Sequence, residues 1–186
     1  RILRVCREME IFLVVDECFL DFVKEPEKHS LKAQLSRYHN LFLLKAFTKR
    51  YAMAGVRLGY GISENAELLE KMTMATQPWN ISVMAQAAGI AALKENEYVE
   101  NGRQMVFEEA KYLREKLQEF GMEVFPSEAN YIFFKGPENL FEKCVKHGVL
   151  IRDCSNYFGL KKGYYRVAVR THEENEKLIQ SMQEEA

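Results

Sequence analysis

No stretch of this sequence stays apolar for the roughly 20 residues that a bilayer-crossing helix needs. The first residues, Arg1 to Glu10, lack the apolar middle of a secretory leader. Cysteine is sparse. Cys6, Cys18, Cys144 and Cys154 are scattered and none forms a Cys-x-x-Cys pair, so reduced thiols and a cytoplasmic setting are expected. The four histidines, His29, His39, His147 and His172, have no metal-ligand spacing, and no metal centre is expected. Excess charge of either sign is also missing. With 26 Lys and Arg against 27 Asp and Glu the formal net charge is −1, which leaves no electrostatic footprint for nucleic acid. Nor does the chain start at methionine; it enters at Arg1-Ile2-Leu3-Arg4, an amphipathic segment leading straight into an apolar run.

What is present suits a globular α/β chain. The 186 residues are 47% hydrophobic and 28% charged, enough for one or two domains. Ile2, Leu3, Cys6 and Met9 lie at helical spacing. Ile11-Phe12-Leu13-Val14-Val15 is a continuous apolar run of strand length, the pattern of a parallel strand buried on both faces. It ends in Asp16-Glu17-Cys18-Phe19. Ligand groups in α/β sheets gather at the carboxyl ends of strands, and Asp16 stands at such an end. Alone, it reads first as an acidic strand-end cap or turn former.

A second apolar run, Leu41 to Leu44, leads into Ala46-Phe47-Thr48-Lys49-Arg50-Tyr51-Ala52-Met53-Ala54-Gly55-Val56-Arg57-Leu58-Gly59-Tyr60. The pattern reads as strand, tight turn, strand, with Lys49 pinned between them. Burying an unpaired ammonium is costly, so a lysine there implies a covalent or ionic partner.

Between these runs, Lys24 to Asn40 reads as a loop with a short helix near Ser30 to Arg37. Val56 to Ile62 reads as a strand. Ser63 is expected to cap a helix whose inner face holds Ala66, Leu68, Leu69 and Met72. Pro78 stops that helix, and Asn80 or Ser82 can cap the next. A long helical pattern from Val83 to Phe120 breaks near Asn96 to Asn101. From Gly121 short strands (Met122 to Phe125, Tyr131 to Phe134, Val149 to Arg152, Tyr165 to Val169) alternate with helices over Leu140 to His147 and Glu173 to Met182. That is an α+β arrangement. Arg152 and Arg166 each sit on a short apolar strand, where a guanidinium fork suits carboxylate or phosphate.

These stretches together resemble one family. Thr48-Lys49 followed by Ala52-Met53-Ala54-Gly55-Val56-Arg57-Leu58-Gly59-Tyr60 is similar to the cofactor-lysine segment of the fold-type I pyridoxal-phosphate enzymes, the aspartate aminotransferase superfamily. The wording is nearest to the histidinol-phosphate aminotransferases and the threonine-phosphate decarboxylases. Asp16-Glu17-Cys18-Phe19 resembles the family's Asp-Glu-Ala-Tyr/Phe motif, and Gln77-Pro78-Trp79-Asn80-Ile81-Ser82 its Pro-Tyr-Asn-Val-Ser loop. Ile151-Arg152-Asp153-Cys154-Ser155-Asn156-Tyr157, with Gly163-Tyr164-Tyr165-Arg166-Val167-Ala168-Val169-Arg170, resembles the threonine-phosphate decarboxylase signature.

The resemblance implies a cofactor, pyridoxal 5'-phosphate, and a role for each matching residue. Lys49 would hold the cofactor covalently, Asp16 would pair with its ring nitrogen, and Arg57 would clamp its phosphate. Many relatives carry Ser or Thr where this chain has Ala46; Thr48 would supply that hydroxyl. Phe19 stands among the cofactor-contacting positions where histidinol-phosphate aminotransferases usually have Tyr, a departure that leans toward the decarboxylases. Arg170, where the aminotransferases usually have Gly, leans the same way. Arg152 and Arg166 would bind the anionic ends of a small phosphorylated amino acid. The implied fold is α/β: residues 1–80 as part of a large cofactor-binding domain with a mostly parallel sheet, 81–120 as linking helices, and 121–186 as a small α+β domain.

The family's glycine-rich phosphate loop, ring-stacking aromatic and ring-oxygen Asn are not found, so the expectation is a C-terminal half, inactive by itself, of an enzyme that pairs as a homodimer. The favoured activity is decarboxylation of L-threonine O-3-phosphate, which by resemblance serves cobalamin assembly. Histidinol-phosphate aminotransferase, and a non-catalytic aminotransferase-like sensing domain of a transcription regulator, remain as alternatives.

Overall fold

A computed structural model describes residues 1–183 of the chain. Two compact units divide it, Arg1–Val99 and a second that begins at Glu100. In the first unit helix α1 (Ile2–Glu8) precedes strand β1 (Leu13–Asp16), helix α2 (Pro26–His29) and strand β2 (Leu41–Ala46). A one-turn helix α3 (Phe47–Arg50), strand β3 (Gly59–Ile62) and helices α4 (Ala66–Ala75) and α5 (Val83–Ala92) follow. Helix α6 (Asn96–Glu119) runs into the second unit, which continues with β4 (Glu123–Val124), β5 (Tyr131–Lys135), α7 (Leu140–Lys146), β6 (Arg152–Asp153), β7 (Tyr164–Ala168) and α8 (His172–Gln183).

The first sheet has the order β1-β2-β3, parallel between β1 and β2 and antiparallel between β2 and β3. Only β2 lies between two neighbours, and Leu41 and Leu43 on it are fully buried. With Leu3 and Leu35 they form a core that also takes in Leu13, Val15, Leu31, Tyr38 and Ile62. Truncating a leucine so placed to alanine costs about 2–5 kcal/mol. The opposite face of β2 is filled by Phe42, whose ring occupies the space where Gly61 has no Cβ: an added methyl would stand 2.1 Å from Phe42 Cζ.

β1 corrects the expectation of a strand buried on both faces. Among the described residues it is an outer strand of its sheet, its residues alternate between half-buried and exposed, and Val14 is 53% exposed. An apolar run reports composition, whereas burial depends on which strands flank it. The helix expected near Ser30 is a 3-10 segment, Lys32–Arg37. Two expectations about α4 also change. Its N-cap is Asn65, whose side chain accepts from Leu68 N at 2.9 Å, while Ser63 Oγ donates to Leu41 O at 2.8 Å. Ala66 and Met72 are exposed, and only Leu68 and Leu69 turn partly inward. Ser82 caps α5 as expected, accepting from Ala85 N at 3.1 Å.

The second unit is a four-stranded antiparallel sheet of order β4-β5-β7-β6. One face, Ile132, Phe134, Tyr165 and Val167, is buried. The helices supply matching stripes: Val106, Ala110, Leu113 and Leu117 on α6, Leu140 and Cys144 on α7, Leu178, Ile179 and Met182 on α8. Buried Asn175 on α8 donates to Glu109 Oε2 of α6 at 2.8 Å and to Arg170 O at 2.9 Å, so a polar side chain in the core is satisfied. The other sheet face is half-exposed and carries the aromatics Tyr131, Phe133 and Tyr164 together with Arg166.

Candidate active site

Strand alternation separates the two acids that close β1. Successive side chains of a strand point to opposite faces. Asp16 shares its face with exposed Val14, and Glu17 turns inward on the side of Leu13 and Val15. The carboxylate of Asp16 accepts from Cys18 N at 2.9 Å. Hydrogen bonds from the Cys18 side chain and then its backbone hold Asp16 below the usual carboxylate range, so it is ionised at neutral pH. Cys18 is pushed up to about 11, by burial first and by the neighbouring carboxylate second.

Lys49 lies on α3 and is exposed, which corrects the reading of a buried lysine in a tight turn. After Ala46 the chain leaves β2 as a helical turn. Phe47 is its buried contact and Lys49 faces out. The Lys49 ammonium stands over the Phe19 ring, 5.6 Å from its centroid. Thr48 is half-buried beside it. Phe19 lies three residues past the Asp16 strand end, so this contact joins the Asp16 segment to the lysine helix.

Two ion pairs bind the same segments. Lys45 of β2 reaches Glu17, Nζ to Oε2 2.9 Å, and Arg50 of α3 pairs with Asp21. Glu17 also accepts from Ser30 Oγ and Leu31 N, each at 2.9 Å. Burial works to raise the Glu17 pKa, but the Lys45, Leu31 and Ser30 hydrogen bonds outweigh it and hold it below the ordinary range. Sequence reasoning passed over Glu17, Lys45, Asp21 and Arg50. The Glu17–Lys45 pair follows the β1–β2 register by one step, and the Asp21–Arg50 pair joins the two turns that come after those strands; no spacing in the sequence announces either.

Arg57 ends the 3-10 turn Ala54–Val56 with φ 57° and ψ 46°, a left-handed backbone that a residue with a Cβ adopts at a cost. Its guanidinium donates to Ala54 O at 2.8 Å. Gly89 of α5 faces Leu58: a methyl at Gly89 would stand 2.5 Å from Leu58 Cδ2, so its absence lets the helix support the strip that carries Arg57.

In the second unit Arg152 and Arg166 are direct partners in the β6–β7 register. Arg152 donates to Asn156 Oδ1 at 3.1 Å. Arg170 is taken up elsewhere. It pairs with Glu174 at 2.6 Å, and that carboxylate, lowered to about 2, is held first by Arg170 and next by Thr171. Arg170 thus forms a surface ion pair at the N-terminal approach to α8. Among the described residues no group of three or more His, Cys, Asp or Glu side chains could hold a metal ion, and no helix is long and apolar enough to cross a membrane.

The family model for aminotransferase class I and II matches residues 1–182, and the chain belongs to that family. It is 36% identical over 179 residues to the histidinol-phosphate aminotransferase of Oleidesulfovibrio alaskensis, covering 92% of this chain and 46% of that protein. It is 30% identical over 181 residues to the threonine-phosphate decarboxylase of Salmonella typhimurium, covering 95% and 49%. Among solved structures, the histidinol-phosphate aminotransferase from Clostridium acetobutylicum superposes with a TM-score of 0.91 at 31% identity, over 98% of this chain and 56% of that one. The chain thus spans about half the length of the curated relatives it matches.

Family membership implies pyridoxal phosphate as the cofactor. The residues present fit it by donor chemistry: an ionised carboxylate at a strand end, an exposed primary amine, a hydroxyl next to that amine and a guanidinium on a strained turn.

Proposed function

We propose that this chain is the Lys49-bearing half of a pyridoxal-phosphate carboxy-lyase acting on L-threonine O-3-phosphate. The observation that carries the choice is Phe19. Its ring lies under the Lys49 ammonium, where a tyrosine hydroxyl is usual in the related aminotransferases and where phenylalanine suits the decarboxylases. When bound, pyridoxal phosphate supplies an electron sink for a bond at the substrate α-carbon.

The chain's own residues then have distinct tasks. Asp16, kept ionised by Cys18, holds a proton on the ring nitrogen. Lys49 would hold the cofactor through its amine and, once freed from it, would be the group placed to deliver the proton that replaces the departing carboxylate at the α-carbon. Arg57 and Thr48 bind the cofactor phosphate. Arg152 and Arg166 bind the anionic groups of the substrate and so decide which α-carbon bond is presented for cleavage.

The second reading is histidinol-phosphate aminotransferase, favoured by the superposition on the Clostridium enzyme. One preparation separates the two: a protein carrying this chain with the upstream half its relatives possess, given O-phosphothreonine and, separately, histidinol phosphate with an amino-group acceptor. Carbon dioxide release from phosphothreonine without comparable amino transfer is the expected result. Dominant transfer from histidinol phosphate overturns it.

A further inference from the structure

Arg152 and Arg166 stand directly opposite each other on one face of an antiparallel pair. Like charges in that position repel and destabilise a sheet. Among the described residues neither guanidinium has a carboxylate within ion-pairing distance to relieve this. Each lies instead over a tyrosine: Arg152 Cζ is 5.4 Å from the Tyr157 ring centroid, and Arg166 Cζ is 5.1 Å from that of Tyr131. Both also act on Cys154, two residues beyond Arg152, whose buried thiol, raised chiefly by burial, feels each arginine as a lowering influence.

We propose that Tyr131 and Tyr157 are positioning residues for an anion-binding arginine pair. The inference rests on the reading of Arg152 and Arg166 as substrate-binding residues and deepens it. A carboxylate partner would fix a guanidinium but also neutralise it. An aromatic face fixes it through the ring quadrupole and leaves its N–H donors and full charge for a ligand. Tyr131 is the diagonal neighbour of Arg166 on the same sheet face, because Phe133 is the direct partner of Arg166. Tyr157 lies in the loop after β6, where Asn156 also holds Arg152. Two cations kept side by side without counter-charge match one dianionic group, a phosphate monoester.

The test is titration of a protein carrying this chain with its upstream half, with inorganic phosphate and with O-phosphothreonine, followed through the arginine Nε–H resonances by NMR. Tyr131→Leu and Tyr157→Leu should each weaken binding about threefold to tenfold, the scale of one cation–π contact. Tyr→Phe at either site should restore it to within about twofold. A fluorinated phenylalanine at either site, which keeps the shape and empties the ring face of electron density, should weaken it again; this arm holds even where a leucine variant folds poorly. Lys135→Gln removes another cation that lies over a tyrosine, Tyr164, and should leave binding unchanged. Arg152→Gln or Arg166→Gln should abolish the response. If the arginine variants lose binding while the leucine and fluorinated variants do not, the positioning role is overturned and the arginine reading stands. If the unmodified chain shows no response at the arginines, or the arginine variants bind as well as it does, both fall.

Discussion

Lys45 and Glu17 meet across the parallel pair β1–β2, Nζ to Oε2 2.9 Å, with the Glu17 side chain only 4% exposed. The register that sets Leu13 against Leu41 and Asp16 against Leu44 continues one step to this pair. It therefore fixes the strand end that carries Asp16, while the Arg50–Asp21 pair fixes the following turn to the helix that carries Lys49.

Glu17→Gln leaves the Lys45 ammonium half-enclosed without its counter-charge, and should cost on the order of 3 kcal/mol in denaturant unfolding. The carboxyl pKa is depressed in the folded state. Its contribution to stability is thus present above the unfolded value of 4.5 and is lost as pH falls through the lower folded value. The parent should lose stability on acidification in that window, and Glu17→Gln should lack that part of the loss. Identical acid profiles for the two chains would contradict the pairing.

Cys18 is a weak nucleophile at neutral pH, because its thiol is raised to about 11. It should react with a thiol reagent roughly tenfold slower than an ordinary exposed thiol, the lower thiolate fraction being partly offset by higher intrinsic nucleophilicity. Asp16→Asn removes the second-largest influence and should speed the reaction several-fold, with burial still limiting it. An unchanged rate, read by mass spectrometry of the labelled peptide, would show that the two side chains do not interact.

Gly89→Ala should push Leu58 away from α5 and disturb the adjoining Arg57 turn. Overpacking of this kind costs about 1–3 kcal/mol. A melting curve coincident with the parent's would mean that the contact relaxes freely.

In a protein with the upstream half present, Asp16→Ala should retain most of its cofactor capture and lose turnover by on the order of 3 kcal/mol of transition-state stabilisation, the scale of one preorganised charge. Near-normal turnover would assign the ring-nitrogen role to another acid.

Much of the chain's order was legible in its residues. Ser82 before an apolar helix and the alternation of short strands from Gly121 onward are local signals, and each of these elements forms within a few residues of its predicted place. Lys49, Arg57 and Asp16 could be singled out because their motif is local too. What escaped was non-local. The run Ile11 to Val15 says that a strand forms but not that it is an outer one. Asp16 and Glu17 are adjacent acids, and only the pleat decides that one opens outward and the other is buried. A tight turn after Ala46 would enclose Lys49, whereas the single helical turn that forms there carries it to the surface. Tyr131 and Tyr157 acquire a role only through the register that sets Arg152 against Arg166.

The central claim is that Lys49 is the lysine that carries the cofactor. Borohydride treatment of the pyridoxal-phosphate-loaded protein, with this chain joined to its upstream half, followed by peptide mapping, tests it most directly. The expected result is a reduced pyridoxyl label on the peptide containing Phe47 to Arg50, localised to Lys49 and lost in Lys49→Ala. A label on Lys45 or any other lysine, with Lys49 unmodified, would contradict the account.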